Sequence, residues 1–261
     1  MRLKCFIRGP MLVLLLSCCL SVAWSQGTEA SESPPSGGIT LGVKTGVNLN
    51  QFSQPGTSIG FNAGIYGSYD LLPFLTVRLE PQYSQQGGSR PDYNRSYSDI
   101  SDNISSISYI NPSVTFHNIE IPLLVELTLP EFRSETIMPK LILGTSYAGT
   151  MLTNEMHTKR YFFNDNLPSS SVYPYALDAS YQREDVTDNY VRNQWSVIAG
   201  LGLQFKAAKR DFSFDIRYRQ GTTNLNQLRF ASPTYVPGTG GELFSSSLSF
   251  NFSMSLYKLN L

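Results

Sequence analysis

Two histidines are the first residues to weigh for chemistry. His117 follows closely on the serine-rich stretch SDISDNISSISY (98–109). Ser, His and acidic side chains near a rim can assemble a hydrolytic site. Any serine-rich loop offers that coincidence, however, and no spacing here is diagnostic. His157 has no patterned partner, and the three cysteines, Cys5, Cys18 and Cys19, all fall near the start. That leaves little material for a soft-metal site. GLG at 200–202 has no helix after it to cradle a phosphate, so small-residue packing is the better reading. The remaining candidates are charged: Lys44, Arg78, Glu80, Glu120, Glu126, Lys140, Asp215, Arg217 and Arg219. Opposite charges set this way could line a conduction path or pair into a salt-bridge core. The expectation is a structural polar core, with no catalytic, metal or cofactor-binding residues.

The elements that carry these charges alternate with period two, the signature of a β-strand with unlike faces. FLTVRLEPQYS (74–84) puts Leu75, Val77, Leu79, Pro81 and Tyr83 on one phase and Arg78 and Glu80 on the other. Similar alternation predicts strands over 39–50, 58–70, 115–129, 139–150, 191–206, 212–222 and 246–258. Pro81 and Pro122 sit inside two of them, where a proline removes a ladder donor and forces a bulge or a bend.

Connections then decide which face meets what. Strands two and three, four and five, and six and seven join through short links. Long segments, 86–114, 151–190 and 223–245, lie at the other end. Segregated loops of this kind are the layout of a membrane barrel. A strand of about twelve residues at ~3.3 Å per residue, tilted by about 40°, spans roughly 30 Å, the hydrocarbon thickness. The charged residues fall on the non-apolar phase with Gly60, Gly64, Gly144, Gly200 and Gly202, as a narrow lumen requires; Lys258, near the chain end, is the exception. On the apolar phase Tyr83, Tyr147, Trp195 and Tyr218 fall towards the long-loop ends, and Tyr69, Phe205, Phe212 and Tyr257 towards the short-turn ends. That distribution resembles two interfacial girdles. The predicted fold is all-β: an eight-stranded antiparallel transmembrane barrel of the outer membrane, with short periplasmic turns and long extracellular loops. Its rival is a soluble lipocalin-like carrier, which would turn the apolar phase inward.

The first residues fit this compartment. Arg2, Lys4 and Arg8 precede an apolar run over 11–22, and Ala23-Trp24-Ser25 has small-x-small form. That predicts a signal peptide over 1–25 for Sec-type export, a flexible leader over 26–38 and a barrel domain over 39–261. A lipoprotein signal ending at Cys18 is an alternative. Charged residues are 15% of the chain and the formal net charge is +0, so nothing points to nucleic acid.

GVKTGVNLNQF (42–52), IEIPLLVEL (119–127), PKLILGTSYAG (139–149) and FSFDIRYRQGTTNL (212–225) resemble the outer-membrane β-barrel domain family of Bacteroidota, which includes PorT-like proteins. The resemblance covers residues 38–261, and the Glu-Ile-Pro-Leu-Leu core of the fourth strand is its most specific piece. It implies an eight-stranded barrel in the cell outer membrane with both termini in the periplasm, and no single activity. The expected role is structural or interaction-mediating, with surface loops presented to a partner or the barrel joined to an envelope or secretion assembly. Expected partners are outer-membrane lipid and envelope proteins. A narrow channel or uptake component and a rim-sited hydrolase centred on His117 are the alternatives.

Overall fold

The structure, a computed structural model, describes residues 37–52, 56–89, 93–96, 104–129, 137–163, 176–178, 182–207, 210–225 and 242–260. The expected signal peptide and nearly all of the leader lie outside them. The described strands fall in the compact unit Pro35–Leu261, and among the described residues no helix is long and apolar enough to cross a membrane.

Among the described residues twelve strands form one antiparallel sheet: β1 (Gly38–Phe52), β2 (Thr57–Leu72), β3 (Leu75–Leu79), β4 (Gln82–Ser89), β5 (Tyr93–Ser96), β6 (Ile104–Thr128), β7 (Ile137–Phe163), β8 (Ala176–Asp178), β9 (Gln182–Asp185), β10 (Asn193–Ala207), β11 (Arg210–Gly221) and β12 (Ser245–Asn260). β3 and β4 are two halves of one wall. Counting them together, the walls run β1, β2, β3/β4, β6, β7, β10, β11 and β12, and β12 pairs back onto β1 from Gly38↔Asn260 to Phe52↔Ser245. The eight-walled ring therefore closes and leaves no open edge at membrane depth. Its phase is apolar-outward: Leu41, Ile65, Leu123, Val197, Leu201 and Phe252 are exposed, while Lys44, Arg78, Glu120 and Arg217 are buried.

The two strand prolines share one interruption. The β3–β6 ladder ends at Leu79↔Leu123 and the β4–β6 ladder resumes at Gln82↔Glu120, so Pro81 and Pro122 meet across the same gap. Glu80 N–H donates to the Pro122 carbonyl at 3.0 Å, and Ile65 N–H donates to the Pro81 carbonyl at 3.1 Å. Gly64 makes this approach possible, because a Cβ there would sit 2.3 Å from the Pro81 oxygen. The strand expected over 74–84 is thus broken at Glu80–Pro81, for want of proline donors.

The fourth and fifth walls differ most from expectation. Instead of 115–129 and 139–150 they run over Ile104–Thr128 and Ile137–Phe163, and they pair with each other almost to their far ends. Much of what reads as long loop is therefore sheet: β5 adds to β6, and β8 and β9 add to β7. Register shifts at His117/Asn118 and between Ile110 and Ser113 mark this extension, and Asn111, at φ 50, sits at the second. The extension was hidden because stretches such as ISSISY carry too little apolar alternation to announce a strand.

Candidate functional site

The lumen is organised around Glu80, which is 0% exposed. The β3/β4 break delivers its carboxylate to three cations from three walls. Lys44 Nζ lies 2.6 Å from Oε2, Arg78 Nε 2.7 Å from Oε1, and Arg217 NH1 2.6 Å from Oε2. Arg217 NH2 also donates to Oε1 at 3.0 Å. The network continues both ways. Arg217 Nε lies 2.6 Å from Asp215 Oδ1, which also accepts from Asn251 Nδ2 at 2.7 Å. Arg78 NH1 reaches Glu126 Oε1 at 3.2 Å, its guanidinium sits 3.8 Å over the Tyr66 ring, and Lys140 Nζ holds the other Glu126 oxygen at 2.7 Å. Above, Arg219 NH1 meets Glu120 at 3.2 Å. The structure thus brings all nine charged candidates into one interior, five cations against four carboxylates. Each has an opposite partner, and such pairing is what makes buried charge tolerable.

Not all of the lumen is polar. Leu124, Ile142 and Ile198 form a buried apolar cluster inside the β6–β7–β10 wall. Gly144 accommodates it: a Cβ there would fall 2.8 Å from a Leu124 methyl. Sequence reasoning missed this cluster, although Leu124 stands on the Glu120–Glu126 phase opposite a glycine-rich stripe. Cavities of about 50 Å³ and about 20 Å³ lie in the lumen, the first lined by Arg78 and Glu126, the second by Lys44 and Arg217. Glu80 binds cations from both sets, so its cluster stands between them. Each cavity has room for a few waters at most.

The outer mouth is filled differently. Phe52, Val114, Phe116, Val186, Tyr190, Leu225 and Leu243 form a second buried cluster. Phe52 meets Phe116 edge-on at 5.7 Å, and Phe116 meets Tyr190 at 5.1 Å. Backbone bonds hold the pieces: Val191 N–H donates to the Leu225 carbonyl at 3.0 Å, and Leu225 N–H to the Leu243 carbonyl at 2.8 Å. This plug was also missed, because its members come from five separated segments. Beside it His157 is buried between Glu155 (Nδ1–Oε1 3.2 Å) and Glu184 (Nε2–Oε2 3.6 Å), with the Tyr109 ring at 4.7 Å. Burial holds its imidazole below the usual range, against the pull of the two carboxylates.

The other candidates separate. His117 faces outward; its ring nitrogens meet Tyr83 Oη at 2.5 Å and Asn154 Nδ2 at 3.2 Å. That geometry fastens a ring. Of the neighbouring stretch, residues 98–103 lie outside those described. Gly200 packs against Arg217 and Gly202 against Ile142. The expected girdle aromatics all stand on the outer wall, some in contact: Tyr147 with Trp195 at 5.1 Å, Phe205 stacked on Phe212 at 5.7 Å, and Phe61 against Tyr83 at 5.3 Å.

Residues 24–227 match the profile of a family described as outer membrane protein beta-barrel domain. No curated protein matches the chain. Similar solved structures include the attachment invasion locus protein of Yersinia pestis (11% identity, 86% of this chain and 99% of that chain, TM-score 0.36). Neisserial surface protein A is similar over 84% of this chain and 99% of that one, at 12% identity and TM-score 0.38. The outer membrane protein OprG of Pseudomonas aeruginosa is similar over 88% and 98%, at 10% identity and TM-score 0.38.

Proposed function

The chain belongs to the outer membrane protein β-barrel domain family, and from that premise we propose that it is a closed barrel whose work is done outside the membrane, by presenting the β5–β9 sheet to a partner protein. The observation that carries this reading is the division of material along the ring. At membrane depth the interior is spent on mutual neutralisation around Glu80, with cavities of about 50 and about 20 Å³. Above it, β6 and β7 stay paired out to Ile104↔Phe163, a rigid platform rather than a set of slack loops. Membership of an envelope or secretion assembly of the PorT-like kind is the proposed setting, and it rests on the sequence resemblance. A narrow channel would need the Glu80 cluster and the apolar plug both to open.

Photo-crosslinking residues at Thr115 and Thr158, on the extension, and at Val197, on the apolar wall, test the reading in intact outer membranes. The expected result is a discrete protein adduct from the first two positions and lipid adducts from the third. Steady ion conductance by the purified protein in a planar bilayer, with no protein adduct at Thr115 or Thr158, would count against it.

A further inference from the structure

On the outer face of the β7–β10 seam the side-chain layer has a gap. Gly149 pairs with Ile119 on one side and Asn193 on the other, and a Cβ built on it would meet none of the described residues within 4 Å. One row below, Tyr147 and Trp195 stand side by side at 5.1 Å, and Tyr147 Oη reaches up to Asn193 Oδ1 at 2.9 Å. Trp195 is 56% exposed. Above the gap Met151 leads into a groove of about 370 Å³, whose lining includes Asp185, Thr187, Asp188 and Arg192. That volume is in the range of small-ligand sites. The groove is built rigidly: Val186 N–H donates to the Thr153 carbonyl at 2.9 Å, Thr153 N–H to Thr187 Oγ1 at 2.8 Å, and Thr187 Oγ1 to Asp185 Oδ1 at 2.6 Å. Arg192 shares Asp188 at 2.7 Å with its side chain 63% exposed.

From bottom to top the seam therefore offers an apolar wall (Val197, Leu201), an aromatic pair beside a one-residue notch, and a groove holding both carboxylate acceptors and a guanidinium donor. We propose that this seam is a docking site for a glycolipid of the outer leaflet, with its acyl chains on the wall, a sugar ring over Gly149 against Trp195, and the outer sugar in the groove. Family membership puts this face in the outer membrane, and the aromatic pair puts the notch at the interface. A sugar presents donors and acceptors all round and an apolar ring face, which matches carboxylate, guanidinium and indole together. A zwitterionic phospholipid head could meet Arg192 with its phosphate and the indole and carboxylates with its ammonium, but it has no flat apolar ring face to lie in the notch beside Trp195, so phosphatidylethanolamine is the control that separates the two. This inference does not depend on the partner-protein reading above.

The chain has two tryptophans, Trp24 and Trp195, so the W24F protein carries a single tryptophan, inside the site, that can be excited apart from the tyrosines. Full-length W24F protein in detergent is titrated with a glycolipid bearing a phosphorylated disaccharide head. The expected result is a saturable change in Trp195 emission at one glycolipid per chain, with none from phosphatidylethanolamine or from the delipidated saccharide. Gly149→Leu, which fills the notch, weakens binding by about twofold to tenfold, whereas Ala63→Leu, an outward position on the β1–β2 seam, leaves it unchanged. Arg192→Gln, in the exposed groove away from the barrel's packing, weakens binding too, which keeps the test intact if Gly149→Leu misfolds. Equal saturation by the phospholipid, equal binding of the free saccharide, or wild-type affinity in Arg192→Gln would overturn the proposal.

Discussion

A single strand, β6, shows two solvents in opposite arrangements. From Ile119 to Val125 its outward side chains are Ile119, Ile121, Leu123 and Val125, all exposed, while Glu120 and Glu126 point inward and are buried. From Ser113 to Asn118 the phase is the same but the chemistry is reversed. Val114 and Phe116 are buried within, and Ser113, Thr115 and His117 lie on the outer side. The lower part is an inside-out protein whose apolar surface is solvated by lipid and whose polar groups must satisfy each other. The upper part turns polar side chains outward over an apolar cluster, with the buried His157–Glu155 pair beside it. The switch near Asn118 coincides with the register shift at His117/Asn118, and it is the change that a boundary between lipid and water imposes on a barrel wall. The difference teaches that the two cores fail differently: the lower by leaving a charge unpaired, the upper by leaving a cavity.

Several substitutions separate the two regimes. Glu80→Leu strands Lys44 and leaves Arg78 to Glu126 and Arg217 to Asp215 alone, and it carries the largest cost, about 3–5 kcal/mol, read as a lower unfolding temperature in detergent by heat-modified gel mobility. Arg78→Leu, which leaves Glu80 two cations, lowers it less; an unchanged melting profile in both would break the paired-interior account. Phe116→Ala opens the upper core at about 3 kcal/mol. It should hasten proteolysis of the β6–β7 extension while the barrel melts as before, and a joint loss of both would merge the two regions into one. Outward charge sharpens the boundary: Val125→Arg costs about 2–4 kcal/mol near the midplane, whereas Thr115→Arg stays within about 0.5 kcal/mol. Chemical denaturation in lipid vesicles measures both.

The smallest effect belongs to His157, in the upper region. Its folded-state pKa lies below the unfolded value, so the unfolded chain binds the proton first as pH falls. The stability linked to this group is therefore full above the unfolded pKa and declines as the solution is acidified through it. Proteolysis of the extension should quicken between pH 7.5 and pH 5.5, and His157→Gln should remove that dependence. A rate that slows on acidification would show the carboxylates of Glu155 and Glu184 winning over burial.

What the sequence made legible follows the same division. At membrane depth lipid outside and charge inside force strict alternation, so the eight walls can be read from period two, and the burial of Lys44, Glu80, Glu126 and Arg217 from period two together with the segregation of short and long connections. Partners within the lumen cannot, because Glu80 reaches Arg217 across 137 positions of sequence and only ring closure and the Pro81 break bring them together. Above the membrane the signal vanishes: Ser106, Ser108 and Lys159 alternate with nothing distinctive, and β6 and β7 persist there by pairing with each other. The plug was illegible for a related reason, since Phe52, Val186 and Leu243 each look like an isolated apolar residue beside a turn. Leu124 was the one missed lumenal signal that could have been caught, as a large residue facing Gly144 across a ladder pair.

Depth-resolved labelling along β6 tests the reversal most directly. Single cysteines are placed at 113, 115, 117, 119, 121 and 123 after Cys5, Cys18 and Cys19 are replaced with serine, and each is probed in membranes with a membrane-impermeant thiol reagent and, as a spin label, with a lipid-soluble relaxing agent. Reversal near Asn118 predicts water access at 113, 115 and 117 and lipid access at 119, 121 and 123. Reagent labelling at 121 and 123 as fast as at 115, or lipid access extending up to 113, would contradict it.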